Sequence, residues 1–193
     1  LIGCSGCSNS ITFCLMRIIS WNVNGFRSIA KKGFWEWVAE TSPDILCLQE
    51  TKISRDQLSD EMIRPPGYQA VWNPAEKKGY SGVTTWSKKH PNRVHLGMGI
   101  GDFDSEGRVI HHEFSGFDLL NVYFPNGTSG DERLQFKLEF YDAFLVYCEK
   151  LRRRGKNLVI CGDVNTAHKP IDLEKVKQAV ERVFQFEKEN TCD

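Results

Sequence analysis

The run Ile45-Leu46-Cys47-Leu48 constrains this chain more than any other feature. It is apolar at successive positions, with Pro43-Asp44 before it and Gln49-Glu50-Thr51-Lys52 after it, so it is too short for a buried helix. Neighbouring side chains of a strand point to opposite sheet faces, so a continuous apolar run reads as a strand buried on both. Such a strand needs cover above and below, which places it inside a layered α/β protein. A chain of 193 residues is long enough for one domain with that core.

The rest of the chain alternates strand and helix signals around a hairpin-rich middle. Arg17–Trp21 predicts a strand ending in the polar turn Asn22–Gly25. The spacing of Ile29, Phe34, Trp37 and Val38 predicts a helix over Ile29–Glu40. A second, short helix is expected over Ser54–Ile63, stopped by Pro65-Pro66-Gly67. Tyr68–Trp72, Val83–Trp86, Arg93–Leu96, Val109–Phe114 and Asp118–Phe124 predict strands, with a tight hairpin at Ser115-Gly116. Asp131–Arg154 predicts the longest helix, with Leu134, Leu138, Tyr141, Leu145 and Cys148 as its apolar stripe and Gly155 closing it. Leu158–Cys161 reads as another buried strand, and Glu174–Glu189 as an amphipathic helix. Trp35 and Trp37 are assigned to helix packing. Gly97–Gly101 lacks the Lys-Ser/Thr of a phosphate loop and is expected to be a hairpin connection. The pattern as a whole predicts packed sheets with helices outside.

Composition excludes little. The 25 basic and 25 acidic residues cancel, so no global charge advertises a polyanion partner; a basic rim around an acidic site would average to the same zero. Seven cysteines at irregular spacing argue against a disulfide framework and for a reducing, cytoplasmic setting. Cys4 and Cys7 have no second pair at zinc-binding spacing. No apolar stretch has membrane-spanning length. Residues 1–15, ahead of Met16, are expected to be an extension outside the domain.

Three polar clusters follow the β-rich runs: Trp21–Gly25, Leu48–Lys52 and Cys161–Asn165. Strand ends are where α/β folds present reactive groups on a rigid base. Taken singly, an Asp or Asn there is a turn former or helix cap. Together, Asn22, Glu50, Asp163 and Asn165 make a hard-oxygen set suited to Mg²⁺ or Mn²⁺, not zinc. Mg²⁺ commonly uses one or two carboxylates and completes its shell with water and phosphate oxygens, so the set points to a phosphate ester. Tyr123, in Asn121–Gly127, offers a phenol to such an ester, or is a strand tyrosine with its hydroxyl at the core's rim.

Five blocks closely resemble the exonuclease III / abasic-site endonuclease family. They are Ile19–Arg27, Leu46–Lys52, Tyr80-Ser81-Gly82-Val83, Asn121–Gly127 and Cys161–Leu173. The resemblance implies a four-layer α/β/β/α sandwich of two mixed sheets flanked by helices, occupying residues 16–173. It implies Glu50 as principal Mg²⁺ ligand and Asn22 as support for the metal or its waters. Asp163 would orient or deprotonate the attacking water and could also touch the metal. Asn165 would bond a phosphate oxygen, with a possible metal contact. Tyr123 would touch the scissile phosphate, and Lys52 and Asn126 would be secondary contacts to phosphate or to the site's acids. The implied activity is 3′-to-5′ exonuclease and abasic-site endonuclease in DNA base excision repair. The implied partner is double-stranded DNA with abasic sites or 3′ ends, met by a monomer away from membranes. The family's terminal Ser-Asp-His block has no counterpart, and residues 174–193 are expected to form a divergent helical tail. The second sheet is therefore expected to be incomplete and turnover impaired. The alternatives are a non-catalytic fragment that binds metal or DNA, and a phosphatase of small phosphate esters.

Overall fold

The computed structural model describes residues 16–127 and 130–166. The elements are β1 (Ile18–Asn22), α1 (Phe26–Ile29), α2 (Phe34–Thr41), β2 (Ile45–Gln49), α3 (Asp60–Ile63), β3 (Gln69–Asn73), β4 (Val83–Ser87), β5 (Arg93–Leu96), α4 (Gly101–Asp104), β6 (Val109–Glu113), β7 (Asp118–Tyr123), α5 (Asp131–Arg153) and β8 (Leu158–Asp163). The strands form two four-stranded sheets, in the orders β1-β2-β4-β3 and β5-β6-β7-β8. Each sheet holds one parallel pair, β1 with β2 and β7 with β8, and each pair is joined through helix, as a parallel crossover requires. The other pairings are antiparallel.

β2 shows why its run is apolar throughout. Leu46 and Leu48 face outward, into a cluster with Phe26, Phe34, Val38 and Trp86. Ile45 and Cys47 face inward and meet Phe114 and Leu119 of the other sheet. The second sheet repeats this: Leu120 and Val122 pack against Phe140, Phe144, Cys148 and Leu151 of α5. Helix, sheet, sheet and helix therefore stack as four layers. Trp35 stacks on Trp86 and Trp37 meets the edge of Trp21, so both belong to packing.

An amide pair crosses between the sheets. Gln49 Nε2 donates to Asn121 Oδ1 at 2.8 Å, and to Ser20 Oγ at 3.1 Å. Asn121 Nδ2 donates to Thr84 O at 2.8 Å and Thr85 Oγ1 at 3.1 Å. Buried amides need such partners, and the geometry that supplies them fixes one sheet on the other.

Four expectations are corrected. The buried stripe of α5 is Phe140, Phe144, Cys148 and Leu151; Leu134, Leu138 and Leu145 are exposed. The helix carries two apolar stripes, and it is the aromatic one that packs on the sheet, against Leu120 and Val122. The helix expected over Ile29–Glu40 breaks at Ala30–Gly33 into α1 and α2, with Gly33 at φ 81°. That expected over Ser54–Ile63 splits into a 3₁₀ turn, Arg55–Gln57, and α3, because Leu58 takes an extended backbone. β8 is not fully buried: it lies at the sheet edge among the described residues, and Ile160 is exposed. Residues 1–15 with Cys4 and Cys7, the tail 174–193 and His168 lie outside the described residues. Among those described, no helix is long and apolar enough to cross a membrane.

Candidate active site

The site forms where the C-terminal ends of both parallel pairs meet. Asn22 ends β1, Glu50 follows β2, Tyr123 ends β7 and Asp163 ends β8. Register sets Asn22 opposite Gln49 in one sheet and Tyr123 opposite Asp163 in the other. Packing of the sheets then joins the two pairs. Asn22 Nδ2 donates to Glu50 Oε2 at 3.0 Å and to Asp163 Oδ2 at 2.6 Å. One amide nitrogen thus holds two carboxylates from different sheets.

Further bonds orient each member. Asn22 Oδ1 accepts from the Asn24 N–H at 2.9 Å, which sets the amide's direction. Asp163 Oδ1 accepts from the Asn165 N–H at 2.9 Å, and Asn165 Nδ2 donates to Phe124 O at 2.8 Å. Lys52 Nζ lies 2.8 Å from Glu50 Oε1 and 2.6 Å from Asn24 Oδ1. The Tyr123 hydroxyl lies against Glu50 and Asn165. Five of the expected residues therefore converge with Lys52 beside them. Asn126 sits exposed on the segment after β7.

The electrostatics follow from these contacts. Burial pushes the Glu50 carboxyl up, but hydrogen bonds from Lys52, Asn22 and Tyr123 and the Lys52 charge outweigh it, and the net shift is downward. Glu50 is ionised at neutral pH. Tyr123 is pushed up to about 12 by burial and by the Glu50 charge, against the opposing pull of Arg108. It stays a neutral phenol, able to donate to an anionic oxygen.

Backbone strain concentrates here. Asn24, Glu50, Lys52 and Asn165 have φ of 44°, 56°, 51° and 48°, a left-handed conformation that non-glycine residues rarely adopt. Crossed backbone bonds hold them. Gly25 N–H and Phe26 N–H donate to the carbonyls of Glu50 and Thr51, both at 2.8 Å. Thr51 N–H donates to Gly82 O at 3.0 Å and Lys52 N–H to Ser81 O at 2.9 Å. A Cβ at Gly82 would lie 2.7 Å from Thr51 Oγ1, which explains a glycine in Tyr80–Val83.

The donor set fits a divalent cation of the Mg²⁺ kind. Glu50 and Asp163 supply hard oxygens within 3.0 Å of a common atom, and Lys52 marks a position beside Glu50 where positive charge is favoured. No group of three or more His, Cys, Asp or Glu among the described residues forms a metal cage. A water-rich site with two carboxylates needs none.

Sequence reasoning missed Arg108 and its partners. Arg108 is 2% exposed and its Cζ lies 4.8 Å from the centroid of the Tyr123 ring. An arginine leading directly into the buried strand Val109–Glu113 was the available signal.

Residues 19–179 match the Endonuclease/Exonuclease/phosphatase family. A DNA-(apurinic or apyrimidinic site) endonuclease of Dictyostelium discoideum is 44% identical over 84% of this chain and 45% of its own length. An exodeoxyribonuclease of Bacillus subtilis (strain 168) is 42% identical over 84% of this chain and 63% of its own. An AP endonuclease structure from Archaeoglobus fulgidus superposes with a TM-score of 0.72 at 33% identity, covering 82% of this chain and 60% of that one. A 3′-5′ exonuclease from Neisseria meningitidis gives 0.70 at 31% identity, covering 79% and 59%. The chain spans about half the length of the curated relatives it matches.

Proposed function

The chain belongs to the Endonuclease/Exonuclease/phosphatase family, and on that premise we propose that it is a Mg²⁺-dependent phosphodiesterase acting on double-stranded DNA at abasic sites and 3′ ends. The observation that carries this reading is the Asn22 amide joining Glu50 and Asp163 across two sheets. Phosphodiester hydrolysis needs an oriented water, neutralised phosphate oxygens and a stabilised leaving oxygen. Glu50 and Asp163 would hold the metal, which when bound would supply Lewis-acid polarisation of a phosphate oxygen. Asp163, aimed by Asn22 and the Asn165 N–H, accepts the proton of the attacking water. Tyr123 donates its phenol proton in a hydrogen bond to a phosphate or leaving oxygen. Asn165 and Lys52 complete the electrostatic cradle. The resemblances to a DNA-(apurinic or apyrimidinic site) endonuclease and an exodeoxyribonuclease support the DNA substrate over small phosphate esters.

A second reading, binding of metal or DNA without turnover, is favoured by the placement of the described histidines. His90 bonds Gln69, His95 bonds Glu113, His111 bonds Tyr147 and Asp118, and His112 is buried on β6 beside Phe114, so none of the described histidines bonds Glu50 or Asp163. One assay separates the readings. The purified chain is incubated with end-labelled duplex carrying an abasic site, with Mg²⁺ or with chelator, beside Asp163→Asn. Metal-dependent nicking lost in the variant supports the enzyme; Mg²⁺-dependent binding without nicking supports the second reading. Cleavage indifferent to both chelator and Asp163→Asn overturns the proposed site.

A further inference from the structure

We infer that Arg108 is a positioning residue for Tyr123: its buried guanidinium fixes the plane and reach of that ring and never touches substrate itself. The arrangement begins in the backbone. Gly107 has φ 62°, and a Cβ there would lie 2.5 Å from Asn73 O and from the Pro74 carbonyl carbon. The chain is therefore seated directly on the Asn73-Pro74 turn. Asn73 Nδ2 locks it from the other side through Val109 O at 2.9 Å. From that anchor the Arg108 backbone pairs with Tyr123, whose N–H donates to Arg108 O at 2.9 Å.

The side chain then turns under the tyrosine. Arg108 Nη1 donates to Tyr123 O at 2.9 Å, Nε to Glu106 Oε2 at 2.5 Å and Nη2 to the Tyr80 hydroxyl at 3.2 Å. Glu106 is held in turn by Arg133 of α5, at 2.8 and 2.7 Å, and Arg133 Nη2 also reaches the Tyr80 hydroxyl at 2.8 Å. Two guanidinium groups share one carboxylate, so one positive charge is left over beneath the ring face of Tyr123. A cation over the face of an aromatic ring is attracted to it, most strongly where water is excluded. The ring is thereby held over the guanidinium, with Cζ 4.8 Å from its centroid and its hydroxyl toward Glu50 and Asn165.

Two features assign this role rather than a direct contact with DNA. Arg108 is 2% exposed, so its nitrogens are not available to a ligand. Its donors are also committed to three separate acceptors, a task for the rigid fork of arginine that the single ammonium of lysine cannot repeat. Arg108→Lys keeps the charge and loses the fork.

The activity arm of the test rests on the phosphodiesterase reading; the spectroscopic arm does not. With Mg²⁺ and abasic duplex, Arg108→Lys is expected to lower kcat about tenfold or more with KM changed less than about twofold, the pattern of a lost transition-state interaction. In a Tyr123→Phe background the same substitution is expected to cost less than about twofold, because residues that act through one another are not additive. An equal cost in both backgrounds overturns the inference. In ¹³C-tyrosine-labelled protein, Arg108→Lys is expected to shift the ring resonances of Tyr123, assigned by their loss in Tyr123→Phe, and to leave those of Tyr147 in place. Unmoved Tyr123 resonances in a folded variant overturn the inference. If Arg108→Lys does not fold, Glu106→Gln withdraws the anchor from Arg108 and is read by the same shift and the same criterion. If the parental chain cleaves no DNA and Arg108→Lys still shifts Tyr123, the nuclease reading is refuted while the positioning role is supported.

Discussion

Replacing His112 with leucine should both stabilise the protein at neutral pH and remove most of its sensitivity to mild acid. His112 lies on β6 at 0% exposure, with neither ring nitrogen hydrogen-bonded and the Phe114 ring stacked at 5.8 Å. Burial, with the neighbouring His111 charge, pushes its pKa down to about 4. An unfolded histidine titrates near 6.5. Between those two values the unfolded chain carries a proton that the folded one refuses, so stability rises with pH across that window and is level above it. Each pH unit inside the window is worth about 1.4 kcal/mol, so acidification through all of it costs about 3 kcal/mol, about 2 of them by pH 5. His111, also shifted down by burial, against the opposing pull of Asp118, leaves a smaller residual slope. His112→Leu deletes the titration and also the cost of two unpaired buried nitrogens, about 1–3 kcal/mol for such a group. Urea unfolding monitored by tryptophan fluorescence at pH 5, 6, 7 and 8 measures both effects, since the displacement of the midpoint multiplied by the slope gives the change in stability. A His112→Leu protein that keeps the parental loss of stability between pH 7 and pH 5 would refute this reasoning.

Asn121→Ala removes the inter-sheet amide with its bonds to Gln49, Thr84 O and Thr85, and should cost about 2–4 kcal/mol in the same urea assay; a change below about 0.5 would show that the pair does not hold the sheets. Gly162→Ala would drive a Cβ into the Val122 carbonyl at φ 153°, directly before Asp163, so Mg²⁺-dependent cleavage should drop at least about a hundredfold even where the variant folds; near-parental cleavage would count against β8 as the strand that aims Asp163. Lys52→Met leaves the upward push of burial on Glu50 with less opposition, so the carboxyl protonates at higher pH and Mn²⁺ binding should fall away at a higher pH than in the parent. Calorimetric Mn²⁺ titrations between pH 5 and 8 measure this, and superimposable pH profiles would remove Lys52 from the site.

What could be read along the chain was whatever is encoded by neighbours. The Ile45–Leu48 run declared a strand covered on both faces, and it is one, because side-chain alternation is a property of consecutive residues. The polar clusters after the strands announced Asn22, Glu50, Asp163 and Asn165 by the same local logic. The α5 face was not legible, since both a leucine stripe and a phenylalanine stripe satisfy helical spacing and only the shape of the facing sheet chooses between them.

Amino-acid order by itself therefore determined the layered class, the strand ends and the chemistry of the residues on them. The tertiary structure decided that Asn22 and Asp163, 141 positions apart, share a hydrogen bond. It also decided that Glu50 and Lys52 take left-handed backbones, that Arg108 lies beneath Tyr123, and that His112 is buried without a partner. Each of these depends on how segments far apart along the chain are set against one another. That arrangement is fixed by side chains from distant segments filling a common interior, and no window of neighbouring residues contains it.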